Sequence, residues 1–175
     1  MARAAKAKLD LRTFQQELST RLAAKTAAQV ESSRLGLACA GERWLIRLSD
    51  ASEVIALPTV VSVPLTRPWF LGVANIRGNL YSVIDFSVFL GHEPAPHSGL
   101  TRLIVFGPRA GDLNAGIVVN RVLGLRNVGE LAPAAPPVDK PDWYAQRWMD
   151  GEGNAWQEID LARLARDPAF LQVGA

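Results

Sequence analysis

The sequence predicts a mostly β protein made of two hairpin-rich halves. Three observations carry that prediction. From Arg34 onward, apolar residues alternate with polar ones, the period-two pattern of strands with a covered face. Glycine, asparagine and aspartate recur between those runs where turns are needed. Helical spacing is confined to the N-terminal region, one turn near Ser87 and a short segment near the end.

The composition suits a folded, soluble chain. Its 175 residues can bury a sizeable core in one domain or two small lobes, and 49% hydrophobic with 21% charged residues is ordinary for such a protein. A net charge of +2 gives little support to nucleic-acid binding, which needs clustered Lys and Arg. The lone Cys39 forms no internal disulfide, in keeping with a cytoplasmic setting. The basic start, MARAAKAKLDLR, is followed by no apolar signal core, and the apolar region Leu65 to Leu90 is too interrupted by polar residues to span a membrane.

Asp10 is placed to cap a helix whose apolar positions Leu11, Phe14, Leu18 and Leu22 recur on one face. The basic residues Arg3, Lys6, Lys8 and Arg12 would suit a membrane surface. The stripe is narrow and lacks tryptophan, so docking on the body or on a partner is the preferred reading. The Ala-rich stretch to Val30 continues the helix more weakly.

Leu35, Leu37 and Cys39 then fall on one face of a strand, Gly41-Glu42 supplies a turn, and Trp44, Ile46 and Leu48 mark one face of the next strand. Cys39 therefore reads as a small core residue. After a break at Asp50 to Ser52, Glu53-Val54-Ile55 and Val60 to Val63 form short apolar segments either side of Pro58.

The central stretch, FLGVANIRGNLYSVIDFSVFLG from Phe70 to Gly91, has two apolar arms around Arg77-Gly78-Asn79. With Gly78 and Asn79 as the turn pair, both able to take positive φ, Ile76 faces Tyr81, Ala74 faces Val83, and Asp85 sits opposite Gly72. Ala74, Ile76, Tyr81 and Val83 then share a core face, whereas Asn75, Arg77 and Ser82 project from the other. Val73 and Ile84 extend that second face with apolar groups, so both faces are covered deeper in the hairpin. Residue chemistry alone leaves Arg77 as either a contact residue or a solvated turn charge, and it favours the solvated charge.

Ser87 to Leu90 closes as one helical turn, and His92 to Gly99, with Pro94 and Pro96, is a surface loop and the first candidate boundary between lobes. Leu103 to Phe106 and Gly116 to Asn120 form another hairpin, Val122 to Val128 adds a strand with Gly124 at a bulge, and Pro133 to Pro141 is an extended connector. Trp143 to Met149 and Ala155 to Ile159 flank a turn at Asp150 to Asn154. Asp160 caps a short helix from Leu161 to Ala165, Asp167-Pro168 ends it, and Phe170 with Leu171 pins the tail.

Catalytic patterns are missing from the sequence. His92 and His97 share one loop with Glu93 but lack the Cys or carboxylate set that zinc sites use, so a solvated loop is the preferred reading, and no nucleophile-base pattern, P-loop or dinucleotide fingerprint appears. The five tryptophans, several beside arginine, suit base stacking, a protein interface or core packing, with nucleic acid last of the three. Binding is the better expectation than catalysis. A single-stranded nucleic-acid-binding barrel and a small-ligand-binding β-barrel stand as alternatives.

GVANIRGNLYSVIDFSVFLG, Gly72 to Gly91, resembles the CheW family signature of the form G-V-x-N-L-R-G-x-x-x-P-V-I-D-L. The resemblance runs from about Leu35 to Leu164 and includes LIVFGPRAGDLNAGIVVNRVLGLRNVGELAPAAPP and WQEIDL. It implies two small SH3-like β-barrels around a shared apolar seam, with an N-terminal helix and a short C-terminal helix. The implied divisions are a helical extension over 1–33, a CheW-like domain over 34–166 and a tail over 167–175. Barrel 1 is mainly 44–91, and barrel 2 mainly 100–160 plus a first strand at 34–40.

The function the resemblance implies is a non-catalytic, cytoplasmic scaffold with no cofactor. It joins the cytoplasmic tip of a methyl-accepting chemoreceptor to the regulatory domain of a CheA-type histidine kinase, with no nucleic acid and with membrane association only through the receptor. The N-terminal helix and the ending WQEIDLARLARDPAFL point to the type IV pilus (twitching motility) branch of the family. Carried over by position, the partner-binding candidates are Val73, Asn75, Arg77, Gly78, Ser82 and Asp85, with Arg77 associated with receptor coupling and kinase control. Ser82 stands where proline is usual, and Ser87 replaces a common arginine, which weakens borrowed contacts along the return strand.

Overall fold

The computed structural model describes residues 15–17, 19–21 and 31–175. Residues 15–17, 19–21 and 31–32 are helical. The expected cap Asp10 and the stripe Leu11, Phe14, Leu18 and Leu22 lie outside the described residues.

The remainder is mostly β, as expected, and forms two sheets. The strands are β1 (Ser33–Cys39), β2 (Glu42–Arg47), β3 (Ala51–Ala56), β4 (Phe70–Ile76), β5 (Asn79–Asp85), β6 (Arg102–Phe106), β7 (Ala115–Val119), β8 (Arg121–Asn127), β9 (Ala132–Ala134), β10 (Tyr144–Met149) and β11 (Ala155–Ile159). One sheet has the order β8-β1-β2-β11-β10-β9 and the other β3-β6-β7-β5-β4. Each contains one parallel pair, β2 with β11 and β5 with β7, among antiparallel neighbours. Three short helices complete the fold: α1 (Phe86–Phe89), α2 (Leu161–Leu164) and α3 (Pro168–Leu171).

Strand membership corrects the expected division of the chain. The segment 44–47 belongs with 33–39 and 121–159, while 102–119 joins 51–56 and 70–85. The chain changes sheets near residues 48–50 and 120, not in the loop 92–99. Parallel pairing is the reason: β5 and β11 each recruit a strand distant in sequence, which local turn signals do not reveal.

Alternating burial follows the pleat. Leu35, Leu37, Trp44, Ile46 and Ile159 of the six-stranded sheet meet Ile84, Ile104, Phe106, Ile117 and Val119 of the five-stranded sheet in one core, closed by Phe86, Leu161, Leu164 and Phe170 from the helices. This core is the shared seam. A second, smaller core inside the five-stranded sheet gathers Ala74, Ile76, Val83, Leu103, Val105 and Val118. Cys39 lies in the seam, 3.2 Å from Ser87 Oγ, and burial pushes its thiol up to about 11.

Both expected hairpin turns sit one residue earlier than the sequence reading placed them. Cys39 pairs with Glu42, so Ala40-Gly41 is the turn, and Ile76 pairs with Asn79, so Arg77-Gly78 is the turn. In each pair both residues have positive φ: 54° and 75° in the first, 52° and 90° in the second. A primed two-residue turn places glycine second, and here that preference outweighs the cost of a left-handed alanine or arginine. Tyr81 accordingly faces Ala74, and Val83 faces Gly72. Moving a two-residue turn by one position slides the pairing by two, so each side chain keeps its face and the expected core set survives.

Asp85 lies opposite neither Gly72 nor any other strand residue of β4; its N–H donates to Trp69 O at 2.8 Å. The slide of the pairing by two moves Asp85 from Gly72 to Phe70, and a bulge at Leu71-Gly72, where Gly72 has φ 134°, moves it one residue further, past the start of β4. A Cβ on Gly72 would stand 2.0 Å from Val61 O, so only glycine lets the Val61 backbone exchange two hydrogen bonds with Val73. The expected bulge at Gly124 is present, with Gly36 opposite Gly124 and Leu37 opposite Val122.

The C-terminal part differs from expectation in three places. Pro133 lies within the edge strand β9, where its missing N–H costs no ladder bond, so the extended connector begins only after Ala134. Asp167-Pro168 starts a helix: the Asp167 carboxylate accepts from Ala169 and Phe170 N–H, and Pro168 takes the first-turn position that needs no donor. Phe170 is buried as expected, whereas Leu171 is exposed. The final residues run antiparallel to 65–67, with Arg67 N–H donating to Val173 O and Ala175 N–H to Leu65 O.

Candidate functional site

The β4–β5 turn is built by its own side chains. Asn75 Oδ1 accepts a hydrogen bond from Gly78 N–H at 2.8 Å, closing the loop around Arg77. This holds Arg77 in the left-handed region, with φ 52°. Arg77 Nη1 then meets Glu53 Oε1 at 2.8 Å, with the arginine side chain 78% exposed and the glutamate 29%. Glu53 belongs to β3, one edge of the five-stranded sheet, and β4 is the other edge. The ion pair therefore bridges the two edges of a sheet that curls on itself around the smaller core.

The other carried-over residues fall into two groups. Val73 and Ser82 are paired across β4 and β5 and half-buried; Val73 packs against the seam, and Ser82 N–H donates to Asn114 O. Asn75 and Gly78 are exposed beside Arg77, and Leu80, opposite Asn75, is 64% exposed. Asp85 does not join them. Its carboxylate has no exposed surface: Oδ1 accepts from Ser87 and Val88 N–H, capping α1, and Oδ2 accepts from Ala95 N–H. It is a strut inside the seam that also pins the loop 92–99, which corrects its assignment as a contact.

Sequence reasoning missed Glu53 and Leu80. Glu53 is the one charged residue in Ala51–Ala56, a signal that something satisfies it, but its partner is set by sheet closure. Leu80 is hidden by the misplaced turn.

Among the described residues, no group of three or more His, Cys, Asp or Glu side chains is arranged to hold a metal ion, and His92 and His97 are exposed. Trp44, Trp143 and Trp156 are buried, and Trp69 stacks on Phe170 with centroids 6.2 Å apart. Trp148 donates Nε1–H to Glu158 Oε2 at 2.7 Å. Core packing thus accounts for Trp44, Trp69, Trp143 and Trp156.

Two sheets sharing one core, with a self-closed turn presenting an arginine, make a two-sheet β module. Residues 34–169 match the CheW-like domain family, and the chain belongs to it. It is 31% identical over 162 residues to Protein PilI of Pseudomonas aeruginosa, covering 87% of this chain and 88% of that protein. It is 34% identical over 85 residues to Protein FrzA of Myxococcus xanthus, covering 49% and 51% of the two chains. Among solved structures, scaffolding protein TtCheW from Thermoanaerobacter tengcongensis has the same fold, with a TM-score of 0.65, 18% identity, and coverage of 82% of this chain and 97% of that one.

Proposed function

We propose that this protein is a non-catalytic cytoplasmic adaptor. It couples the cytoplasmic tip of a methyl-accepting chemoreceptor to the regulatory domain of a CheA-type histidine kinase, and its output is a type IV pilus chemosensory system. Family membership supports the adaptor role, and near full-length similarity to PilI supports the pilus branch. No helix among the described residues is long and apolar enough to cross a membrane.

The observation that carries the contact assignment is the exposed Arg77 on a turn closed by Asn75 and Gly78. Arg77 is the signalling contact, Asn75 and Gly78 set its pose, and Val73 and Ser82 form the strand face behind it. Kinase docking uses the barrel ends, where short strands leave edges that another barrel can cover.

The test is reconstitution of the full chain with the cognate kinase regulatory domain and the receptor tip, singly and together. The adaptor reading expects capture of each partner alone and a ternary complex with both. Failure to bind either one under conditions where the protein is folded overturns it.

A further inference from the structure

A cleft beside the six-stranded sheet is lined by four guanidinium groups, two of which meet a carboxylate only beyond hydrogen-bond distance. It consists of two recesses of about 510 and 410 Å³ that share Arg34 and Arg47. Arg163 and Arg109 complete the basic lining of the larger and smaller recess, respectively.

Two of these arginines are already satisfied. Arg34 Nε lies 2.6 Å from Glu158 Oε1 and its Nη1 donates to Glu31 O. Arg109 Nε lies 2.9 Å from the buried Asp50 Oδ1. The other two share one acid, and Arg163 Nη1 also donates to Asp142 O at 3.3 Å. Arg47 Nη1 and Arg163 Nε both approach Asp160 Oδ2 at 3.7 Å, beyond hydrogen-bond distance, while Asp160 Oδ1 is committed to capping α2 through Arg163 N–H.

The Arg47 side chain makes no hydrogen bond among the described residues, yet it is only 35% exposed. It lines both recesses, with Trp148 and Pro133 as apolar lining of the larger and Glu31 in the lining of the smaller. An arginine fork matches the two oxygens of a carboxylate or phosphate, and partial burial strengthens that match. We propose that the cleft binds a small free oxyanion, a carboxylate or phosphate group held between Arg47 and Arg163. The recess volumes suit a small molecule, with room for a short carbon skeleton against Trp148. The site is independent of the adaptor reading, since Arg77 lies on the other sheet.

The test is NMR titration of the full chain with glutarate, inorganic phosphate and a hexaglutamate peptide, followed at the Arg47 and Trp148 Nε–H signals. Saturable shifts with glutarate or phosphate at millimolar or lower Kd are expected, and the tighter of the two identifies the oxyanion. Arg47→Gln and Arg163→Gln should each weaken binding about ten-fold or more with unchanged Tm. If Arg47→Gln fails to fold, Arg163→Gln decides alone. The proposal is overturned by no saturable shift from either small anion, by a response to the peptide alone, or by folded variants that bind like the parent.

Discussion

Arg77 and Glu53 form a 2.8 Å ion pair that joins the two edges of the five-stranded sheet. Its exposure limits its worth to about 0–1 kcal/mol, so it orients the guanidinium more than it stabilises the barrel. An incoming acidic group can take over Arg77 at little cost to the fold, which suits a contact that has to be exchanged.

Stability and signalling should therefore separate at position 77. Arg77→Asn places Asn-Gly in a turn with positive φ at both residues, the preferred pair, and should leave Tm unchanged or raised. Receptor-dependent kinase control should be lost. A folded Arg77→Asn protein with full control in a reconstituted array would remove Arg77 from the mechanism.

Asp85 should behave in the opposite way. Asp85→Ala strands three buried or partly buried backbone N–H groups and should cost about 3 kcal/mol in denaturant unfolding. Partner binding should fall only in proportion to the unfolded fraction. A stable variant with selectively weakened binding would restore a contact role to this residue.

Gly72→Ala should be among the most damaging small substitutions. Its Cβ would overlap Val61 O at 2.0 Å, and φ 134° is unfavourable for alanine. A loss of about 3 kcal/mol or more is expected, with amide exchange accelerated first at Val61 and Val73. Gly78→Ala, at φ 90° with open space around it, should cost less, about 1 kcal/mol.

The buried pair Arg34–Glu158 predicts a non-additive cycle. Arg34→Met alone leaves the Glu158 carboxylate, 3% exposed, with only Trp148 Nε1–H, and should cost about 3–5 kcal/mol. Pairing it with Glu158→Gln should recover part of that loss. Additive costs in urea melts would mean the pair is not coupled.

Asp150 predicts the acid limb of the stability curve. Hydrogen bonds from Trp156 Nε1 and Asn154, then from backbone N–H groups, hold its carboxyl well below the ordinary value of 3.8. A depressed folded value means the contribution is fully present above 3.8 and is lost as pH falls toward the folded value. Asp150→Asn should lower Tm at neutral pH and flatten the decline below pH 3.8; an unchanged acid limb would contradict this assignment.

What could be read in the chain was whatever depends on near neighbours. The caps Asp85, Asp160 and Asp167 each lie within three residues of the helix N–H groups they cap, although the first was read as a contact and the last as a helix stop. The Asp150 turn and the core face of the central hairpin were legible for the same reason. The turn pairs were displaced because glycine is permissive: it fits either position of a two-residue turn, and only the pairing of the flanking strands selects one.

By itself, then, the sequence determined a mostly β chain, its strand positions and its covered faces, because period and turn chemistry act over a few residues. The tertiary structure alone decided which strands share a sheet, that Glu53 reaches Arg77, that Asp85 is a buried strut, and that the last residues pair with 65–67. Those outcomes rest on contacts between segments far apart in the chain, whose energies depend on closure and burial. The same holds for the central arginine: its presence is local, but its pose and its exchangeable partner belong to the closed sheet.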